Sequence, residues 1–266
     1  MTIGVIISTY NNPEWLEKTL WGYVCQVRPA DEIIIADDGS RPETRNMVRN
    51  YEDRLPIKYV WHEDKGFRKT KILNEALKVA QSDYLIFTDQ DCIPRSDYIA
   101  CHELHARQEH YLSGGYFRLP LSISQEIKQE DITSQRAFQI DWLRKHGLKL
   151  SFKCTKLVDS WWFAMMMNCI TPAHATWNGM NSSGWRNDIL AARGFDERMQ
   201  YGGEDRELGE RLVNAGIQGI QIRYSAIVLH LDHKRPYINI EGLEKNRAIR
   251  RQTRVQHLTK TSYGLK

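Results

Sequence analysis

No run of ~18 apolar residues occurs in the 266-residue sequence, so no segment reads as a membrane-spanning helix. Cysteine is sparse: the five (Cys25, Cys92, Cys101, Cys154, Cys169) form no C-x-x-C pair. An odd number cannot all pair among themselves, which points to reduced thiols in a cytosolic enzyme rather than a disulfide framework. The start, MTIGVIISTYNNPEW, lacks the basic residues and small-residue cleavage site of a signal peptide. RNP-like and zinc-finger spacings are missing too, so a nucleic-acid partner is not expected. Net charge is only +4, with 41% hydrophobic and 26% charged residues, the balance of an ordinary globular protein. A chain of this length can bury its core as one large α/β domain.

Basic residues gather at one end, in LEKNRAIRRQTRVQHLTKTSYGLK over 243–266. A peripheral contact with anionic headgroups at the inner face of the cytoplasmic membrane is one reading of that tail; a solvated helix face is the other.

What the sequence does contain is strand–helix alternation. An apolar strand over 3–7 is followed by Asn12-Pro13, an N-cap and a first-turn proline. Leu16, Leu20, Tyr23, Val24 and Val27 then recur at helical spacing. Strands over 32–36, 57–61 and 84–88 alternate with helices over 42–51, 69–81 and 97–109; the second of these carries Ile72, Leu73, Ala76, Leu77 and Ala80 on one side. Units of ~30 residues argue for an α/β fold, a mostly parallel sheet with helices on both faces. Beyond residue 110 the pattern loosens to a strand over 114–119, a helix over 133–146, and the run SWWFAMMMNC (160–169), read as core.

Parallel sheets place ligands at the carboxyl ends of their strands. Three such ends carry Ser8-Thr9-Tyr10-Asn11, Asp37-Asp38-Gly39-Ser40 and Asp89-Gln90-Asp91. In extended chain, residues two apart point to one side, so Asp89 and Asp91 are expected to converge on one divalent cation. Turn chemistry accounts for any single acidic strand end. Three neighbouring ones point to a ligand cleft. Later, Gly202-Gly203 opens a turn to close ligand approach. Glu204 and Asp205 begin the next helix, where the dipole favours acids, and His230 and His233 follow an apolar strand. Cys92, Cys101, His102, His105 and His110 form a rival donor group, but they lack the paired spacing of a structural zinc site. Surface histidines and a buried cysteine are expected there.

The pieces VIISTYNNPEWLEKTL, DEIIIADDGS, GFRKTKILNEAL and DYLIFTDQDCIPRSDYI together resemble the inverting glycosyltransferases of family 2, which have the GT-A fold. Residues 178–235, with GFDERMQYGGEDRELGERLVNAG and a later histidine, resemble a part shared by three groups. These are bacterial chondroitin-type polymerases, β-1,4-galactosyltransferases and polypeptide N-acetylgalactosaminyltransferases. Residues 111–177 match no family pattern. The resemblance implies one GT-A domain: a nucleotide-binding half (1–110), a variable acceptor-side segment (111–177), a donor/acceptor and catalytic-base segment (178–235) and a basic tail (236–266).

The same resemblance implies roles. Ser8, Tyr10, Asp37 and Asp38 fall where the family holds uracil and ribose, Arg68 where it contacts base or diphosphate, and Asp89 near ribose and metal. Asp91 falls on the Mn²⁺ or Mg²⁺ ligand and His230 on a further ligand, with His233 a near alternative because HLDH permits a three-residue slip. Asp205 falls on the catalytic base and Glu204 on an acid contacting donor or acceptor; Asn178, Gly179, Tyr201 and Gly203 are expected beside them. Tyr201 replaces a frequent Trp, and Gln90 a small or acidic residue; both bear on sugar choice. The implied reaction moves a hexose or N-acetylhexosamine from a UDP-sugar to a hydroxyl of a saccharide or lipid-linked saccharide. Bacterial surface polysaccharide or glycolipid synthesis is the implied setting.

The chemistry asks for the same residue types. A departing diphosphate gathers charge that a divalent cation neutralises, and carboxylate with imidazole suits Mn²⁺. The attacking hydroxyl must lose a proton to a positioned base. A single inverting displacement needs no nucleophilic carboxylate, unlike retaining hydrolysis. Against a nucleotidyltransferase stands IISTYNNPEW, which lacks a glycine-rich phosphate loop. Against a non-catalytic nucleotide-sugar-binding protein stand Asp91 and Asp205.

Overall fold

The computed structural model describes residues 1–233 and 239–266. The nucleotide-side half runs β1 (Ile3–Thr9), α1 (Pro13–Val24), β2 (Glu32–Asp37), α2 (Pro42–Arg49), β3 (Ile57–Trp61), α3 (Lys69–Val79), β4 (Tyr84–Asp89), β5 (Cys92–Pro94) and α4 (Tyr98–His105). The middle holds β6 (His110–Arg118), α5 (Leu121–Glu126), α6 (Gln129–Thr133), α7 (Ile140–Lys145) and α8 (Trp161–Ile170), with 3₁₀ turns at Arg136–Phe138 and Phe152–Leu157. The rest holds β7 (Ser182–Trp185), α9 (Arg186–Ala191), α10 (Glu204–Asn214), β8 (Gln218–His230) and α11 (Ile240–Val255).

Among the described residues the strands form one sheet in the order β3-β2-β1-β4-β7-β6-β8-β5. β3, β2, β1 and β4 run parallel, and β7 and β5 are antiparallel to their neighbours. Every residue of β1 is buried, as a strand covered on both faces requires. Its alternation sorts the core. Ile3, Val5 and Ile7 pack with Leu16 and Leu20 of α1, while Ile6 packs with Ile72, Leu73 and Leu77 of α3 on the other face. A third cluster, including Ile93, Phe117, Ile123, Ile132, Leu143 and Leu229, gathers the short helices of the middle segment against β5, β6 and β8.

Four expectations change. The apolar face of α1 stops at Tyr23: Val24 and Val27 are exposed because the helix ends at Val24. The helix expected over 97–109 ends at His105, and Glu109 turns through a left-handed conformation into β6. The helix expected over 133–146 is broken where Gln135 takes φ 60°, a conformation that a right-handed helix cannot continue. SWWFAMMMNC is not simply core: Ala164 and Met167 are buried, but Trp161, Trp162 and Met166 are exposed, as is the next residue, Ile170.

Candidate active site

At the carboxyl edge of β2, β1 and β4 lies a cleft of about 750 Å³. Parallel register brings Ser8 beside Asp89 and Thr9 beside Asp37, so the three strand ends open at one level. Ser8 Oγ donates to Asp89 Oδ1 at 2.6 Å, and Lys69 Nζ reaches the same oxygen at 2.5 Å. The Tyr10 hydroxyl donates to Asp64 Oδ2 at 2.8 Å. Its backbone is clamped by Gln90, whose amide accepts from Tyr10 N–H (3.1 Å) and donates to Tyr10 C=O (3.2 Å). The middle residue of the D-x-D segment therefore ties β1 to the turn after β4.

Consecutive residues at a strand end point opposite ways, and this separates the paired aspartates of β2. Asp38 faces the cleft, accepting from Arg68 N–H at 2.8 Å and meeting His62 Nε2 at 2.6 Å. Burial raises its carboxyl above the usual value despite those partners. Asp37 is fully buried and accepts from Ser40 N–H (2.7 Å) and the Tyr59 hydroxyl, so it shapes the turn instead of lining the cleft. Gly39 permits that turn: its φ is +97°, and a Cβ there would stand 2.6 Å from Asp64 Cα. The expected place of Arg68 also changes. Its guanidinium bonds the Glu63 carbonyl, and the neighbouring Lys69 lines the cleft.

The opposite wall begins at Tyr201, Gly202 and Gly203. Both glycines have left-handed φ (106° and 92°), which turns the chain sharply into α10. Glu204 and Asp205 open that helix. Asp205 Oδ2 accepts from Gly179 N–H at 2.6 Å, and Oδ1 from Arg206 N–H at 2.8 Å. Glu204 is buried and accepts from Gly202 N–H at 2.7 Å. Burial, with the charge of Asp205, pushes its carboxyl up to about 7, and Lys69 only partly offsets this. Although burial opposes its charge, Asp89, Glu204 and Asp205 together hold the Lys69 ammonium protonated. Asn178 stays off the cleft wall; its Oδ1 accepts from Asn181 N–H at 2.8 Å and shapes the loop that presents Gly179.

Asp91 belongs to a different group from Asp89. The chain leaves β4 at Gln90 and turns, so Asp89 and Asp91 do not sit on one continuous strand, although both line the cleft. Donor atoms of Asp91, Cys92 and His230 all lie within 4.8 Å of one another. His233 Nε2 is 2.8 Å and His230 Nε2 3.5 Å from Asp91 Oδ2. Burial would raise the Asp91 carboxyl, but the two imidazoles and the Cys92 thiol bring it down to about 2. Burial pushes the Cys92 thiol well up; the oxygen and nitrogen donors beside it are the Asp91 carboxylate and the His230 and His233 imidazoles. That set fits a divalent cation such as Mn²⁺, and a buried His230 Nδ1 without a hydrogen-bond partner marks unused donor capacity beside it. The rival group does not assemble: His102 is fully buried between Ser183 Oγ and Asn181 Oδ1, and His110 bonds the Gln108 carbonyl.

Lys69 and His62 were not singled out from sequence. Lys69 stands in GFRKTKILNEAL beside Arg68, but only the start of α3 shows which of the two cations faces inward.

The fold is a GT-A fold, and residues 4–151, over half the chain, match the family model described as Glycosyl transferase family 2. The chain belongs to glycosyl transferase family 2. It is 31% identical over 233 residues to validoxylamine A glucosyltransferase of Streptomyces hygroscopicus subsp. limoneus, covering 81% of this chain and 48% of that protein. It is 28% identical over 241 residues to chondroitin synthase of Pasteurella multocida (strain Pm70), covering 80% and 23%. The chain spans about half the length of the curated relatives it first matches. Among solved structures, S. aureus TarS 1–349 in complex with UDP-GlcNAc superposes with TM-score 0.63 at 17% identity, over 94% of this chain and 65% of that one. The mannosyltransferase PcManGT from Pyrobaculum calidifontis, in complex with GDP-Man and Mn²⁺, gives 0.59 at 20%, over 96% and 62%. At such identities the likeness speaks for the fold. No described helix is long and apolar enough to cross a membrane.

Proposed function

We propose that this chain is a metal-dependent, inverting glycosyltransferase that moves a hexose or N-acetylhexosamine from a UDP-sugar to a hydroxyl of a saccharide acceptor. Synthesis of a bacterial surface polysaccharide or glycolipid is the setting this reading favours. The observation that carries it is the meeting, in one cleft, of an oriented carboxylate (Asp205) with a carboxylate–imidazole group (Asp91, His230, His233). In this reading Ser8, Tyr10 and Asp38 hold the nucleoside, and Lys69 with Asp89 stands beside the sugar diphosphate. When bound, a divalent cation held by Asp91 and one or both histidines would neutralise charge gathering on the departing diphosphate.

Asp205 is the base. Gly179 and Arg206 N–H groups fix both of its oxygens, and each keeps a second lone pair for the hydroxyl proton. The acceptor oxygen bonds the anomeric carbon as the carbon–phosphate oxygen bond breaks, UDP leaves, and the proton passes to Asp205. One displacement inverts the centre. Glu204, near neutrality at about 7, is able to donate a hydrogen bond to a sugar oxygen while protonated. The test is incubation with a panel of UDP-sugars, Mn²⁺ and saccharide acceptors. UDP release matched by a glycosidic bond of inverted configuration, and lost to a chelator, is expected. Retained configuration, or UDP binding without turnover across the panel, contradicts the reading.

A further inference from the structure

Helix α8, WWFAMMMNCI, has its polarity reversed. Its strongly polar side chain, Asn168, points inward: its amide donates to Ser225 Oγ at 2.8 Å and accepts from Tyr224 N–H at 2.9 Å. Ala164 and Met167 pack on Tyr224. The outward face, at helical spacing, presents Trp162, Met166 and Ile170, which are 76%, 50% and 62% exposed, with no charged residue in the helix. Leu150 and Phe152, a few residues upstream, are exposed as well. Scattered apolar residues on a surface need no explanation, but a contiguous face of this kind does.

The segment that leads into this face is basic. Residues 141–170 contain five Lys or Arg (Arg144, Lys145, Lys149, Lys153, Lys156) against two acids, Asp141 and Asp159, a net of +3. Burial, with Arg223 and Lys153 nearby, pushes the Lys156 ammonium down to about 8. Two such faces brought together as a dimer would oppose like charges, which disfavours a second copy as the occupant. Exposed tryptophans and apolar side chains in a lysine-rich segment suit a surface that is apolar within and anionic at its headgroups.

We propose that α8 and the preceding 3₁₀ turn dock this protein on an anionic lipid surface. The contact lies beside the cleft: Lys156 Nζ donates to the Tyr116 carbonyl and lies over the Tyr116 ring at 5.0 Å, and that ring is 6.1 Å from the His230 ring. A membrane-held acceptor would thus be presented at the metal end of the cleft. This goes beyond the proposed reaction, and the docking does not depend on it. The basic tail is less suited to the task, since Arg250 and Arg254 of α11 pair with Glu210 of α10.

The test is co-sedimentation of the full chain with phosphatidylcholine vesicles, with and without phosphatidylglycerol, at low and high salt. Binding should require the anionic lipid and weaken with salt. The variant W162S/M166S/I170S, which changes only exposed side chains, should lose binding by at least about tenfold, a loss of a few buried methylenes. K149E/K153E should lose at least about fivefold per lysine, while R247E/R251E in the tail should bind as the unsubstituted protein does. Thermal melting of each variant verifies folding. Unchanged vesicle binding in both the α8 and the lysine variants overturns the proposal. So does a dimer in sedimentation velocity that W162S/M166S/I170S dissolves, because the face would then join two copies of the chain.

Discussion

On the β1–β2–β4 wall, side chains reach the cleft because parallel register lines up three strand ends; on the facing wall they reach it because two left-handed glycines swing the chain into α10. The first wall is anchored by buried strands, with Ile6, Ile34 and Ile72 packed beneath it. The second depends on a short turn and on two amides, Gly179 N–H and Arg206 N–H, that hold Asp205. Binding groups on a rigid sheet edge and a proton acceptor on a helix start can be altered separately. In the proposed mechanism, substitutions on one wall should act mainly on nucleotide affinity and on the other mainly on turnover.

The largest separation should come from Asp205→Asn. Base catalysis contributes ~10²–10⁴-fold, so kcat for sugar transfer should drop by about that factor while the Kd for UDP in Mn²⁺ hardly moves. Near-normal turnover would shift the base assignment to Glu204. Next comes Asp91→Ala, which should weaken Mn²⁺-dependent UDP binding by more than the ~10–100-fold typical of losing an outer-shell partner. The companion variants His230→Ala and His233→Ala sharpen the same metal assignment. A ligand histidine must be neutral, so metal affinity should fall as pH drops toward the imidazole range, and only the variant lacking the ligand should lose that dependence.

Lys69→Met leaves Asp89 with one partner fewer, and a hydrogen bond to a charged group contributes ~1.5–3 kcal/mol. The donor KM should therefore rise about tenfold or more with a smaller change in kcat; an unchanged KM would remove Lys69 from the donor site. Gly203→Ala probes the turn. Its φ of 92° and the Arg250 side chain 3.1 Å from the new Cβ predict a loss of ~1–2 kcal/mol in thermal unfolding. A pH-dependent effect concerns Glu204. Its folded carboxyl is raised from 4.5 to about 7, so the native state binds the extra proton in that window and loses stability as pH rises through it. Glu204→Gln should flatten the pH dependence of melting between those values; an unchanged slope would place the titration elsewhere.

The first wall was legible in sequence and the second only in outline, for physical reasons. Ser8, Tyr10, Asp38 and Asp89 stand at strand ends, and period-two alternation with a parallel sheet is a local signal that sequence carries well. The same alternation excludes Asp37, which a motif groups with Asp38 but the strand turns inward. Asp91 shows the limit of the rule: one turn residue, Gln90, separates it from Asp89 and delivers it to His230 and His233, which come to it through β8 pairing with β5. That pairing links residues about 140 positions apart, a separation no local pattern encodes. Asn178 lay in the matched segment, yet whether it meets ligand or shapes a loop depends on Asn181 and Ser182 nearby. The run at 160–169 misled for a simpler reason. Hydrophobicity records what would gain from burial, and α8 leaves that gain unrealised among the described residues.

The claim that the two walls divide binding from chemistry is tested most directly by calorimetric titration of UDP into the unsubstituted protein, Asp91→Ala and Asp205→Asn, each with Mn²⁺ and again with chelator. The account predicts equal Mn²⁺-dependent affinity in the unsubstituted protein and Asp205→Asn, and loss of that affinity in Asp91→Ala to the level seen with chelator. Equal losses in both variants, or Mn²⁺-dependent binding that survives in Asp91→Ala, would contradict it.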